Sequence, residues 1–202
     1  MIYNPNELAS TLGPEVQRAV KGQDHPHSLG ELDKLVFLAL IKQFKPTRVL
    51  EFGTCEGSTP NFILGRPEAK TVIHWVSIDK THGMVPNPGY RAFAHRPKFE
   101  LVVTDGSQKA FCQAMLRFGP CYFDCVLMDA VHDWSNTRKH TEMCDWLLKP
   151  SGLRLWHDYG GGSKKGKYTM TEYIDGLIHG HSQIFVPRQE DRCTVAWEVK
   201  LL

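Results

Sequence analysis

The chain has 202 residues, enough for one domain that buries about 70% of its unfolded surface without disulfides or a structural metal. A hydrophobic share of 42%, a charged share of 23% and a net charge of +2 exclude a disordered or fibrous chain. They also give no electrostatic reason for a nucleic-acid partner. No apolar run reaches the roughly 18 residues that span a bilayer, and the segment from Met1 to Glu7 lacks the basic-then-apolar pattern of a signal peptide. Six cysteines occur without a Cys-x-x-Cys pair, so the expectation is a reduced, cytoplasmic protein with free thiols.

Residues 1–27 are polar and carry Pro5, Pro14 and Pro26, the pattern of an irregular or partly helical arm ahead of a domain over 28–202. Ser28 and Glu31 make a capping box. Leu32, Leu35, Val36, Ala39 and Leu40 then recur at helical spacing until Pro46. Five short apolar runs follow: Val49 to Gly53, Val72 to Asp79, Leu101 to Asp105, Phe123 to Asp129 and Leu153 to Asp158. Their ends are spaced between 24 and 29 residues apart. One strand plus one crossover takes about 30 residues, so the rhythm predicts successive βαβ units around a parallel sheet.

The connecting segments carry helix signals. Thr59-Pro60 reads as a cap followed by proline in the first turn. Ser107 caps a helix with Phe111, Ala114, Met115 and Phe118 on one face and Gly119 as its stop. Ser135 caps another, with Met143, Trp146 and Leu147 turned inward. Segment 81–98 holds three prolines and reads as irregular. A helix near 170–179 and two strands, 183–187 and 193–200, paired antiparallel, complete an α/β fold. The expectation is a seven-stranded, mostly parallel sheet with helices on both faces and an antiparallel C-terminal strand pair. Trp75 and Trp156 fall inside strands and read as core, and Trp134 falls on a loop near the strand ends.

Ligands of an open α/β sheet bind beyond the carboxyl ends of its strands. Those ends carry Glu51 and Gly53, then Asp79, Asp105, Asp129 and Asp158. Aspartate is a poor strand residue, so acids repeated at this position mark a site. Gly53 and Gly57 let backbone approach a ligand closely. Their spacing is not the dinucleotide fingerprint, and Glu56 inside the loop would repel a pyrophosphate. An adenosine ligand with positive charge and no phosphate, such as S-adenosylmethionine, suits these acids better.

Four motifs stand in order: Glu51-x-Gly53-Thr54-x-x-Gly57-x-Thr59, Ser77-Ile78-Asp79, Thr104-Asp105-Gly106 and Leu127-Met128-Asp129-Ala130-x-His132. With Asp158, they resemble the successive motifs of class I S-adenosylmethionine-dependent methyltransferases over residues 30–200. The Leu127–His132 motif and the Asp158 stretch are most similar to those of small-molecule O-methyltransferases: the catechol type, the macrolide-sugar type and methyltransferase type 24 (cephalosporin-hydroxylase-like). The resemblance implies a Rossmann-like methyltransferase fold and an enzyme that moves a methyl group from S-adenosylmethionine to a hydroxyl of a small molecule.

It also implies roles. Glu51, Gly53, Thr54, Gly57, Ser58 and Thr59 would lie beside the methionine moiety, and Asp79 would accept from the ribose hydroxyls. Asp105 would accept from the adenine amine with Gly106 and Ser107 nearby, and Asp129 would close the cofactor site. Asp129 and Asp158 would hold a divalent cation, Mg²⁺ or another, with His157 as the third ligand. The catechol type has an amide residue where this chain has Tyr159, and the macrolide-sugar type a glutamate where it has His157. His132 matches the general base of the macrolide-sugar type, which makes His132 and Asp129 the catalytic candidates.

Other readings were open to the sequence. Gly161 to Lys167 satisfies G-x-x-x-x-G-K, but Tyr168 stands where a phosphate loop needs Ser or Thr, so an NTPase is a remote alternative. The same stretch reads as a basic lid or as a linker. A cofactor-binding protein without transferase activity is another alternative, as is a nucleic-acid or protein methyltransferase. The small net charge and the lack of a basic, aromatic-rich patch argue against the latter. The acceptor and the oligomeric state are left open, self-association included.

Overall fold

A computed structural model describes residues 1–21, 29–55, 57–79, 99–103, 107–130, 133–160, 170–180, 183–187 and 193–200, with backbone alone for 107–111 and 179–180. Its strands are β1 (Ile2–Tyr3), β2 (Arg48–Phe52), β3 (His74–Asp79), β4 (Phe99–Val103), β5 (Phe123–Met128), β6 (Leu148–Trp156), β7 (Ile184–Pro187) and β8 (Ala196–Val199). They form one sheet in the order β1-β7-β8-β6-β5-β2-β3-β4. All pairings are parallel except those of β8, which runs antiparallel to both β6 and β7. The seven expected strands are joined by an eighth, β1, which lays Ile2 against Val186 and Tyr3 against Pro187.

Strand boundaries shift where local chemistry intervenes. β3 starts at His74 rather than Val72, and β6 starts at Leu148, well before Leu153. Proline donates no hydrogen bond to a ladder, so it tolerates only irregular positions in a sheet. Accordingly β6 passes Pro150 through a register shift opposite Phe123 and Cys125, with Ser151 at φ 62°.

Alternation along the strands divides the core into two layers. Val49, Trp75, Cys125, Leu127, Leu153 and Leu155 face one side. Leu50, Val76, Ile78, Val126, Met128 and Trp156 face the other. The first layer packs against α3 (Glu31–Phe44), the second against α6 (Trp134–Leu147) and α7 (Met170–Gly180). Trp75 and Trp156 are fully buried, as their strand positions require.

Helix α3 departs from the single apolar stripe expected of it. Val36 to Ile41 are all buried, while Leu32 and Leu35 are only partly so. A helix apolar all round must be covered on more than one side. The cover comes from the N-terminal arm, which folds into β1, α1 (Pro5–Ser10) and α2 (Pro14–Val20) and sends Leu12, Val16 and Val20 into the same core. Gly30 is the N-cap of α3, and Ser28 of the expected capping box lies outside the described residues.

Two other helix starts also differ. α4 (Ser58–Leu64) begins after Gly57, a left-handed cap at φ 73°, so Thr59 and Pro60 lie inside its first turn. Asp133, not Ser135, caps α6 by accepting from the Asn136 N–H at 2.9 Å. From that start the inward stripe is Thr137, His140, Thr141, Cys144 and Leu147, which leaves Trp146 exposed rather than turned inward. Two polar members of the stripe are accommodated by contacts: His140 stacks on Phe52 at 5.1 Å, and Thr141 Oγ1 accepts from Trp156 Nε1 at 3.2 Å and donates to Thr137 O at 2.8 Å. α5 (Ser107–Phe118) ends as expected at Gly119, whose φ of 77° lets its N–H donate to Met115 O.

At the amino ends of the strands one carboxylate ties three segments. Asp124 Oδ2 accepts from Thr47 N (2.9 Å), Thr47 Oγ1 (2.5 Å) and Arg48 N (2.9 Å), and Oδ1 pairs with Lys149 Nζ. Burial pushes its pKa up, but these donors outweigh it and hold the carboxyl below its ordinary value. Asp124→Ala strands two backbone donors and is expected to cost about 2 kcal/mol in urea unfolding at pH 7. Because the folded pKa is depressed, the wild-type advantage is present above pH 3.8 and shrinks as pH falls through the folded value. An equal gap at acid pH would contradict this assignment.

Candidate functional site

Strand order reverses between β2 and β5, the place where a doubly wound sheet opens a crevice. Gly53 leaves β2 there with φ 81°, and a Cβ on it would stand 2.2 Å from Asp129 O and 2.7 Å from the Ala130 Cα. Only glycine fits. Asp129 N also donates to Phe52 O, which ties β5 to β2, and Gly53 N donates to Ile78 O, which ties the turn to β3, both at 2.8 Å.

The loop beyond Gly53 turns twice more through left-handed backbone, at Cys55 (φ 46°) and Gly57 (φ 73°). This conformation aims two consecutive N–H groups at one carboxylate. Asp79 Oδ2, at the end of β3, accepts from Thr54 N at 3.0 Å and Cys55 N at 2.8 Å. The acid expected at a ribose therefore also fixes the glycine loop. Ser58 and Thr59 follow in the first turn of α4, and Glu56 lies outside the described residues.

Glu51 is fully buried within β2, beneath that loop. Its Oε2 accepts from Ser77 Oγ at 2.5 Å and Trp75 Nε1 at 3.2 Å. Burial pushes its pKa up to about 8 against the pull of Ser77, Thr54 and Trp75, with the Asp129 charge adding to the rise. Burial thus favours the protonated form of this side chain.

A second cluster forms where β5 and β6 end side by side. Asp129, His157 and Asp158 each offer a ligand atom, all within 4.8 Å of one another. His157 Nδ1 lies 2.7 Å from Asp129 Oδ1 and 3.5 Å from Asp158 Oδ1. Asp158 reaches this position through left-handed backbone at φ 64°, a conformation aspartate tolerates better than most residues. Burial alone would lower the His157 pKa, but hydrogen bonds to Asp129 and Asp33 and the Asp158 charge lift it to about 10.

Asp33 was not singled out in the sequence. It sits in the first turn of α3, with Oδ2 3.4 Å from His157 Nε2. Burial raises its pKa, and His157 and the Thr194 N–H together bring it below the ordinary value. Its only trace in the sequence is an acid set in a helix whose other residues are mostly apolar, and nothing in that spacing says what it faces. The donor set suits a divalent cation: two carboxylates, and a ring whose far nitrogen is occupied by a carboxylate so that Nδ1 faces the other two.

Of the remaining candidates, Asp105, Gly106 and His132 lie outside the described residues, as does the lysine-rich stretch 161–167, while Ser107 opens α5. Trp134 stands edge-on to Tyr173, 5.8 Å between centroids, and Tyr159 donates its hydroxyl to Asp175 Oδ1 at 2.8 Å.

No family model and no curated protein matches this chain. Solved structures do. An O-methyltransferase from Bacillus cereus in complex with S-adenosylhomocysteine is 14% identical, with 97% of this chain and 96% of that one covered at TM-score 0.65. The S-adenosylhomocysteine-bound methyltransferase PaMTH1 from Podospora anserina is 14% identical, covering 93% and 86% at TM-score 0.64. The O-methyltransferase TomG from Streptomyces achromogenes, involved in tomaymycin synthesis and solved with S-adenosylmethionine, is 14% identical, covering 97% and 89% at TM-score 0.61. The chain has the Rossmann-like fold of these methyltransferases, over nearly its whole length.

Glu51 generates a prediction from its raised pKa. A carboxyl that binds its proton more tightly in the folded state contributes stability below the unfolded value of 4.5, which is lost as pH rises through about 8. Glu51→Gln removes this dependence. In urea unfolding between pH 5 and 9 the variant should gain on wild type toward pH 9, by an amount on the order of a few kcal/mol. Parallel curves would show that Glu51 is ionised in the folded protein.

Proposed function

We propose that this chain is an S-adenosylmethionine-dependent methyltransferase acting on a hydroxyl of a small molecule, with a divalent cation held by Asp129, Asp158 and His157 Nδ1. The observation that carries the reading is the meeting of the Gly53 turn with Asp129 at the point of strand reversal, in a fold shared with cofactor-bound O-methyltransferases. In this reading residues 28–202 are the catalytic domain and 1–27 its arm. Its setting is the cytoplasm. No described helix is long and apolar enough to cross a membrane.

Each residue has a task on this proposal. Glu51 lies under the methionine moiety, and Gly53, Thr54, Gly57, Ser58 and Thr59 surround it. Asp79 accepts from the ribose hydroxyls while steadying the loop, and Asp105, Gly106 and Ser107 take the adenine. Methyl transfer is an in-line displacement, so aligning acceptor and methyl group supplies much of the rate, up to about 7–11 kcal/mol in model reactions. His132, three residues after Asp129, receives the acceptor's proton. When bound, a divalent cation lowers the pKa of a hydroxyl that it touches. A protonated Glu51 spares the cofactor site one buried charge until the sulfonium arrives.

Thermal unfolding with and without S-adenosylmethionine tests the reading, with ATP as the control. At 100 times Kd the cofactor should add about 2.7 kcal/mol of stability, a Tm rise of about 5–10 °C for a chain this size. Asp79→Ala should lose most of that rise. Asp158→Ala should keep it yet lose turnover, and unchanged turnover in that variant would remove the cation from the mechanism. A rise with ATP alone would overturn the methyltransferase reading.

A further inference from the structure

We infer that Asp33 is a positioning residue, which holds the His157 ring so that Nδ1 is presented to Asp129 and Asp158. The inference rests on the reading of Asp129, His157 and Asp158 as the catalytic cluster. It concerns a residue from the opposite end of the chain, in a helix that contributes nothing else to that cluster among the described residues.

The geometry is a closed circuit. Asp33 Oδ1 accepts from Thr194 N at 2.7 Å, and Oδ2 accepts from Thr194 Oγ1 at 3.0 Å. Both oxygens are therefore anchored before Oδ2 meets His157 Nε2 at 3.4 Å. Thr194 is itself tied to the cluster, because its carbonyl accepts from Tyr159 N at 2.8 Å. His157 N donates to Met128 O at 3.1 Å, fixing the backbone that carries the ring. With the backbone pinned and Nε2 directed to a carboxylate, ring rotation would break the Asp33 contact. Nδ1 donates to Asp129 Oδ1 at 2.7 Å while Nε2 faces Asp33 Oδ2 at 3.4 Å. The metal-free ring is thus held between two carboxylates with a proton on each nitrogen, and a cation at the cluster would take the place of the Nδ1 proton. A carboxylate on the far nitrogen of an imidazole is a general device for fixing tautomer and orientation at a ligand site.

Docking of α3 against the segment before β8 would by itself account for the Thr194 bonds, so the test must read the ring. Asp33→Asn is suited to this. Thr194 N needs an acceptor, which keeps the amide oxygen in place of Oδ1 and turns the amide NH₂ toward Thr194 Oγ1 and His157 Nε2. That reverses the donor at Nε2 while keeping size and fold. Nitrogen-15 NMR of the metal-free protein, with His157→Gln to assign the ring, should show a protonated Nε2 in wild type and an unprotonated one in Asp33→Asn.

Titration with Mn²⁺ should show affinity lower by 10- to 100-fold in the variant. Its kcat should fall while the KM for S-adenosylmethionine changes by less than twofold. Thr194→Val removes one anchor of Asp33 and should move the same readouts in the same direction by a smaller factor. It also serves if Asp33→Asn does not fold.

An Asp33→Asn protein with wild-type Tm, ring signals and Mn²⁺ affinity would overturn the inference and leave Asp33 as a docking residue. If wild type binds no Mn²⁺, the cation reading fails, and the ring signals alone decide the role of Asp33. If S-adenosylmethionine gives no thermal shift, the methyltransferase reading fails, and the ring signals again decide the Asp33 contact separately.

Discussion

The close approach of β2 and β5 at their carboxyl ends governs the architecture of this site. Gly53 passes so near the Asp129 carbonyl that no side chain fits, and the chain leaves β2 in a left-handed turn. That turn points Thr54 N and Cys55 N at Asp79, which couples the loop to β3. The same contact fixes the end of β5, and with it the position of Asp129 beside the end of β6. One steric constraint thus sets both the glycine loop and the Asp129–His157–Asp158 cluster. Larger residues at 53 would have to part the two strands, and both groups would move.

Charge is the second organising term. Glu51, Asp79, Asp129, Asp158 and Asp33 surround a small region, and each deals with its charge in a different way. Glu51 keeps its proton because burial outweighs its hydrogen bonds. Asp79 takes backbone donors, Asp33 takes Thr194, and Asp129 and Asp158 share His157. Carboxylates gathered at the strand ends favour an arriving cation and disfavour phosphates. A ligand with a sulfonium and an ammonium relieves that repulsion, and a nucleotide would add to it. This asymmetry supports the methyltransferase reading over a phosphate-loop one independently of fold.

Much of this was legible in the sequence because strand ends are marked by strong local signals. Apolar runs closing on Gly53, Asp79, Asp129 and Asp158 located four of the strands and predicted the shared edge of the site. What escaped notice depends on contacts distant in sequence. Trp146 looked inward because an aromatic residue near two other large apolar ones suggests a core face, yet α6 buries threonine, histidine and cysteine instead. The hydrogen bonds of Thr141 and the stacking of His140 on Phe52 make these two residues compatible with burial, and binary patterning does not record such contacts. Asp133 was overlooked as a cap because Ser135 offered an equally good cap two residues on. Asp33 showed only as an acid in a mostly apolar helix: its partners, His157 and Thr194, are brought to it by the closing of the whole sheet.

That dependence gives the N-terminal arm a place in the site without touching it. Leu12, Val16 and Val20 cover the outer side of α3, and so bury the helix that carries Asp33. β1 adds to β7, and the Met1 amino group donates to Ile184 O at 2.6 Å. Tyr3 then donates its hydroxyl to Val195 O at 2.7 Å, one residue beyond Thr194. The arm therefore braces both partners of the contact: α3 from outside, and the 193–195 segment from the sheet edge. Buried apolar area holds α3 without direction, whereas the Tyr3 bond fixes a specific carbonyl. Together they set the distance between Asp33 and Thr194, on which the orientation of the His157 ring depends.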